Sequence, residues 1–229
     1  MNRGGSMDTV IETIGLGKSY NLGSEKVEIL KDINLKIHKG HFYSIMGPSG
    51  SGKSTLLYLL GGLDQPTKGE IKINGKVLKV MKDQEESQMR RRDIGFIFQF
   101  YNLIPNLNVE ENIMLPILLD GKKANQYKED LEEILEIVGL TDRKRHTPRE
   151  LSGGQQQRVA IARALINKPD IIFADEPIGN LDSKTGTEIM KLLQEINVKQ
   201  GKTIVQVTHS REAAEYGTHL IHVRDGRVC

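Results

Sequence analysis

The 229-residue sequence holds a single cysteine, Cys229, at its last position. One thiol excludes a disulfide framework within the chain and suits a reducing compartment. No run of 18 apolar residues occurs, so no segment qualifies as a membrane-spanning helix. An excess of one charge is missing too, with 32 Lys and Arg against 30 Asp and Glu. A near-neutral chain without a long basic run lacks the footprint of a nucleic-acid-binding protein. The densest basic stretch, Met89-Arg90-Arg91-Arg92, lies near Glu85 and Glu86 and is expected to form a solvated helix face. The opening MNRGGSM lacks the apolar centre of a signal peptide. Residues 1–6 are expected to be a flexible extension or an expression remnant, with one domain over 7–229. The expectation is a soluble, cytoplasmic α/β protein.

What is present begins with four short apolar runs: 42–46, 94–98, 171–174 and 203–207. Continuous apolar runs of this length suit strands buried on both faces of a parallel sheet. Helical spacing lies between them, as in Leu131, Ile134, Leu135, Val138 and again in Ile189, Leu192, Leu193, Ile196. Strands alternating with helices predict an α/β fold with a mostly parallel sheet. Val10–Ile14, Val27–Ile37 and Ile71–Ile73 predict short strands of an N-terminal antiparallel element, with a turn at Asn74-Gly75. About seventy residues separate the second and third core runs, too long for a simple crossover, and predict a helical subdomain over roughly 100–165.

In open α/β sheets, ligands bind beyond the carboxyl ends of the strands. Each of the four runs leads straight into polar residues there. The first enters Gly47-Pro48-Ser49-Gly50-Ser51-Gly52-Lys53-Ser54-Thr55, a full match to GxxxxGK[ST]. Glycines let backbone N–H groups turn towards phosphate oxygens, and the following helix offers its positive end. In that pattern Lys53 reaches the β- and γ-phosphates and the Ser54 hydroxyl ligates Mg²⁺. A second GKS, Gly17-Lys18-Ser19, has Glu12 where the leading glycine belongs and is set aside. The other runs lead to Gln99, to Asp175-Glu176 and to Thr208-His209. Asp175 is expected to hold Mg²⁺ through water. Glu176 is placed to accept a proton from an attacking water, and His209 to contact the γ-phosphate or orient that water. Gln99 is able to ligate a metal and bind water at once. Tyr20 fits stacking on an adenine face as well as it fits a partly buried strand.

Leu151-Ser152-Gly153-Gly154-Gln155 opens another helix. Ser152 is a natural N-cap and Gln155 completes a capping box. Gly153 and Gly154 lack Cβ atoms, so a phosphate can approach their N–H groups. Without such a role they cost the helix about 1 kcal/mol each.

Together and in this order, these residues resemble the nucleotide-binding subunit of ABC transporters, over essentially the whole chain from Met7 to Val228. The resemblance implies a P-loop NTPase core of RecA-like type. It makes 47–55 the Walker A motif, 171–176 Walker B with Glu176 catalytic, and Gln99 the Q-loop. Asn180-Leu181-Asp182-Ser183 becomes the D-loop, His209 the switch histidine and Tyr20 the adenine-stacking aromatic. LSGGQ is the family signature. It implies two cassettes head to tail, a homodimer or a pair with a related cassette. Ser152, Gly153, Gly154 and Gln155 of each then close over ATP on the Walker A of the other. ATP and Mg²⁺ are the implied cofactors, and an integral-membrane permease is the implied partner, holding the chain on the inner face of the cell membrane.

The strings Phe100–Pro105 and Glu176–Gly186 resemble one subgroup, that of lipoprotein release, macrolide export and antimicrobial-peptide resistance, with a cell-division ATPase of similar sequence. Export or extraction of a hydrophobic or amphipathic substrate, or of an antimicrobial, is the implied task. Force transmission without transport is the alternative. Ile178 stands where this subgroup usually has Thr, which removes a hydroxyl from the turn. Soluble relatives acting on DNA or ribosomes usually carry long coiled coils or two cassettes, and this sequence has neither.

Overall fold

The computed structural model describes residues 8–23 and 25–229, so the extension expected at 1–6 lies outside it. The chain begins as a long hairpin of β1 (Thr9–Leu22) and β2 (Glu25–His38). It then enters the core with β3 (Phe42–Met46) and α1 (Lys53–Leu60). It returns through β4 (Lys68–Ile73) and β5 (Lys76–Val77) to complete an antiparallel sheet of order β2-β1-β4-β5. Asn74 (φ 49°) and Gly75 (φ 77°) make the β4–β5 turn, both left-handed as the tight hairpin demands.

The antiparallel element is therefore as expected in kind but longer, because β1 and β2 each run 14 residues. Register shifts between Thr13 and Leu16, Leu16 and Lys18, and Lys18 and Ser19 explain the difference. Such bulges absorb the glycine and polar interruptions that read as strand ends. The discarded Gly17-Lys18-Ser19 lies inside β1, where Lys18 pairs with Asp64 at 2.6 Å.

The second sheet is built after α2 (Asp83–Arg92) from β6 (Ile94–Ile97), β7 (Ile171–Asp175), β8 (Thr203–Val207), β9 (His219–Arg224) and β10 (Arg227–Val228) together with β3. Its order is β10-β9-β3-β8-β7-β6, parallel throughout except for the β9–β10 pair. Alternate residues feed two cores. Ile172, Ala174 and Ile204 face one, with α3 (Val109–Leu119), α4 (Lys128–Val138), α5 (Gly153–Leu165) and α6 (Ser183–Gln200). Ile171, Phe173, Val205 and Val207 face the other, with α1 and the antiparallel sheet. The short helix α7 (Arg211–Ala214) closes the path from β8 to β9. Strand β9 was not among the four expected core strands. It alternates, with Ile221 and Val223 buried and Leu220 and His222 exposed, so it has no continuous apolar run.

The arginines of α2 correct another expectation. They are a solvated face only in part: Arg92 is exposed, but Met89 is buried, and Arg90 bonds Glu86 at 2.8 Å and the Gly62 carbonyl at 3.1 Å. Arg91 and Arg92 reach Asp120, the C-cap of α3, at 3.3 and 2.9 Å, and Lys122 joins at 3.1 Å. Arg92, with Lys122 and Arg91, holds the Asp120 carboxyl down at about 2. This cluster ties α2 to the helical segment beyond β6.

The entry to α3 hangs on Asn112, which is fully buried. Its Oδ1 accepts from the Ile104 N–H at 2.8 Å, and its Nδ2 donates to the carbonyls of Ile104, Leu107 and Asn108 at 2.9–3.1 Å. Asn112→Ala orphans the Ile104 N–H and the Leu107 carbonyl. It is expected to lower the unfolding free energy by about 2–4 kcal/mol, read as a lower urea midpoint at unchanged m-value.

Candidate functional site

Between β3 and α1 the chain reverses over 47–52, with Gly50 at φ 76° and Gly52 at φ 98°, values that glycine adopts freely. Gly52 caps α1 without a side chain, and no acidic residue occupies the first turn. The first N–H groups of this helix are thus left for an outside anion. A Cβ at Gly47 would lie 2.0 Å from the Val223 carbonyl oxygen, so the loop starts pressed against β9. Lys53 is buried and folds back to donate to the Pro48 carbonyl at 2.8 Å, while the buried Ser51 hydroxyl has no partner among the described residues. Pro48, Ser49 and Gly50 lie on top, towards solvent.

The parallel register brings the neighbouring strand ends to the same edge. Ser54 donates to Asp175 Oδ1 at 2.9 Å, and Tyr58, one turn further along α1, donates to Oδ2 at 2.6 Å. Glu176 follows with φ 47°, uncommon for a residue bearing a Cβ, and its N–H is held by the Val207 carbonyl at 2.9 Å. Its Oε1 meets His209 Nδ1 at 2.9 Å. The Glu176 side chain is only 15 % exposed and that of His209 71 %, so the carboxylate sits inside and the imidazole covers it from the solvent side. A hydroxyl and a carboxylate 2.9 Å apart are hard oxygen donors of the kind Mg²⁺ takes.

Gln99 is at the same edge but turned aside. Its Nε2 donates to Asn180 Oδ1 at 3.3 Å, and Asn180 Nδ2 returns a bond to the Gln99 carbonyl at 3.0 Å. Gly179 permits this approach, since a Cβ there would lie 2.8 Å from Gln99 Nε2. Beyond Gln99, Tyr101 (φ 60°) and Asn102 (φ 49°) form a tight left-handed corner. Arg163 of α5 clamps it by donating to both carbonyls, at 2.7 and 2.6 Å. Tyr20 lies on β1, 39 % exposed, with its hydroxyl donating to Asp64 at 2.6 Å. Burial, then Asp64, pushes that hydroxyl up to about 12, against a smaller opposing contribution from Thr55. The ring is therefore anchored by its tip beside the loop 47–55, with Lys18 Nζ 4.7 Å from its centre.

The start of α5 has both bonds of the expected capping box. Ser152 Oγ accepts from the Gln155 N–H at 3.3 Å, and Gln155 Oε1 accepts from the Ser152 N–H at 2.9 Å. Among the described residues, none of 152–155 hydrogen-bonds to 47–55. Gly154 has a packing reason to be glycine, because a Cβ there would lie 2.3 Å from Thr185 Cγ2 on α6. Thr185 in turn donates its N–H to Asp182, the N-cap of α6, at 3.0 Å. Gln157, fully buried, donates to the Pro177 carbonyl at 2.7 Å and ties α5 to the residue after Glu176. Tyr58 and Gln157 were missed as site neighbours, for no motif position marks them, and Asn180 was read only as part of the D-loop string, not as the partner of Gln99. A cleft of about 690 Å³ beside Asn74, Lys76 and Met81 touches none of these residues.

A family profile described as ABC transporter matches residues 30–179, more than half of the chain. The chain belongs to the ABC transporter family. It is a cassette ATPase of that family with the P-loop NTPase fold. An ABC transporter ATP-binding protein of Thermotoga maritima, itself uncharacterized, is 50 % identical over 97 % of this chain and 94 % of its own length. The lipoprotein-releasing system ATP-binding protein LolD of Geobacter metallireducens is 43 % identical over 97 % and 99 %. The dimeric structure of the cassette MJ0796 of Methanocaldococcus jannaschii superposes with a TM-score of 0.87 at 46 % identity, over 95 % of this chain and 96 % of that one. A second structure of that cassette is a dimeric post-hydrolysis state bound to ADP and Pi. No helix among the described residues of the ABC cassette is long and apolar enough to cross a membrane.

The contact of Gly154 with Thr185 is testable apart from catalysis. Gly154→Ala is expected to lower stability by about 1–3 kcal/mol through overpacking, despite alanine's better helix propensity. Thr185→Ser, which removes Cγ2 and keeps the hydroxyl, should restore most of it in the double variant, read by thermal and urea unfolding.

Proposed function

We propose that this chain is the ATP-hydrolysing subunit that powers a separate membrane permease, working as a head-to-tail pair with a second copy or a related cassette. One observation carries the reading. The Glu176 carboxylate is largely shielded from solvent and bonded by His209 beside the Ser54–Asp175 pair, whereas among the described residues the self-capped start of α5 makes no bond to this chain's own loop. A chain with both halves built but not joined calls for a second chain.

In this reading ATP lies on 47–55 with its base against Tyr20. Lys53 leaves the Pro48 carbonyl to meet the β- and γ-phosphates. Ser54 holds Mg²⁺, with Asp175 acting through water and Gln99 swinging in from Asn180. Bound there, Mg²⁺ supplies charge neutralisation at the phosphate oxygens. Glu176 takes the proton of the attacking water. His209 fixes that carboxylate and faces the γ-phosphate. Ser152, Gly153, Gly154 and Gln155 of the second chain close the cage, with donors aimed at developing charge, and Asp182 lies at the pair's seam.

For the permease, a groove of about 370 Å³ beside the Gln99 loop is lined by Phe96, Phe98, Leu119 and the cations Arg90, Arg91 and Arg163. Leu119 is 73 % exposed and nearby Phe100 72 %. Apolar side chains this open mark a contact surface. We assign it to a cytoplasmic segment of the permease, which would place the chain at the inner face of the membrane. The likeness to LolD supports extraction or export of a hydrophobic or amphipathic substrate or an antimicrobial. ATP-stimulated substrate movement in reconstituted vesicles tests transport against force transmission alone.

Two substitutions test the chemistry. Glu176→Gln should cut turnover by about 10²–10⁴-fold while ATP binding survives and an ATP-dependent dimer accumulates on size-exclusion with light scattering. Near wild-type hydrolysis would remove Glu176 from its role. Ser152→Arg should leave ATP binding by the single chain intact and abolish hydrolysis. Undiminished turnover in an assembled Ser152→Arg pair would overturn the shared site.

A further inference from the structure

The GxxxxGK[ST] pattern ends at Ser54, and nothing in it specifies residue 58. Yet Tyr58 lies four residues beyond Ser54 on α1, and positions four apart share one helix face. Both hydroxyls converge on the carboxylate of Asp175, Ser54 on Oδ1 at 2.9 Å and Tyr58 on Oδ2 at 2.6 Å. The second bond is short, as expected for a hydroxyl on a charged acceptor. Asp175 is the last residue of β7, its backbone registered against Val207 of β8, so only its side-chain torsions remain to be set. Two hydroxyls on two different oxygens set them.

We propose that Tyr58 is a positioning residue for the metal site: by holding Oδ2 it fixes the Asp175 carboxylate, which then orients metal-bound water while Ser54 supplies the direct oxygen ligand. The inference rests on reading Ser54 and Asp175 as the metal-holding pair. It adds to that pair a residue outside the motif. Groups that orient ligands in this way alter metal affinity with little effect on the rest of a site. The ordinary alternative is that the tyrosine ring merely fills space on α1, where it is half-buried.

Tyr58→Phe separates the two, because it keeps the ring and removes only the donor. The full-length protein is titrated with Mn²⁺ in the presence of a non-hydrolysable ATP analogue, and bound Mn²⁺ is counted by electron paramagnetic resonance. Nucleotide binding in EDTA and the melting temperature are measured alongside. The expected result is a loss of about tenfold in Mn²⁺ affinity, with metal-free nucleotide binding and melting close to wild type. Unchanged Mn²⁺ affinity in Tyr58→Phe overturns the inference, and so does an equal fall in metal-free nucleotide binding, which would mean a disturbed loop. Asp175→Ala tells the two readings apart. If it leaves Mn²⁺ affinity intact, the metal pair itself is wrong. If it lowers affinity and Tyr58→Phe does not, only the role of Tyr58 falls.

Discussion

Everything at the site depends on the register of three parallel strands. Ile45 and Asp175 both stand opposite Val207, one on each side of the central β8. The ladder continues past the strand ends, where the Glu176 N–H donates to Val207 and the Thr208 N–H donates to Ile45. A one-residue slip would turn each side chain to the other face. It would put Phe173 and Val205 where Ala174 and Ile204 now pack, and would carry Asp175 away from Ser54. Burial on both faces makes such a slip costly, so the apolar interior of the sheet positions the polar chemistry at its rim.

A second constraint is the packing of α5 against the loop and helix beyond β7. Gly154 against Thr185, Gln157 on Pro177 and Asp182 capping α6 make the start of α5 and the loop after Glu176 one packed piece. Gly154, one of the two glycines that open α5, is thereby the glycine of a helix–helix contact. The Asp120 cluster does the corresponding job on the far side, joining α2 to the end of α3 through three cations on one carboxylate.

The parts legible in the sequence are those whose physics is local. The loop 47–55 carries its own glycines, the capping box needs only Ser152 and Gln155, and strands buried on both faces announce themselves as apolar runs. The expected core strands and polar strand ends lie where those patterns put them. Hidden were features whose meaning depends on distant partners. Tyr58 acquires significance from a residue 117 positions away and Gln99 from one 81 away. Arg91 and Arg92 read as a solvated face because Asp120, well outside any helical repeat, is what they bind. The half-exposed strand β9 and the bulged β1 and β2 were misjudged for a related reason. A strand half exposed or locally kinked loses the continuous apolar signature on which its recognition relies.

The corner at Tyr101 and Asn102 has a further consequence. Arg163 grips it only by main-chain oxygens, which every amino acid provides. The grip therefore makes no demand on the flanking side chains, and Phe100 and Ile104, both exposed, are free to be exchanged. Over evolutionary time such a corner behaves as a fixed mount with a replaceable face. Lineages can change the side chains presented there without moving the backbone that leads from Gln99, so surface and strand end can diverge independently along one short loop.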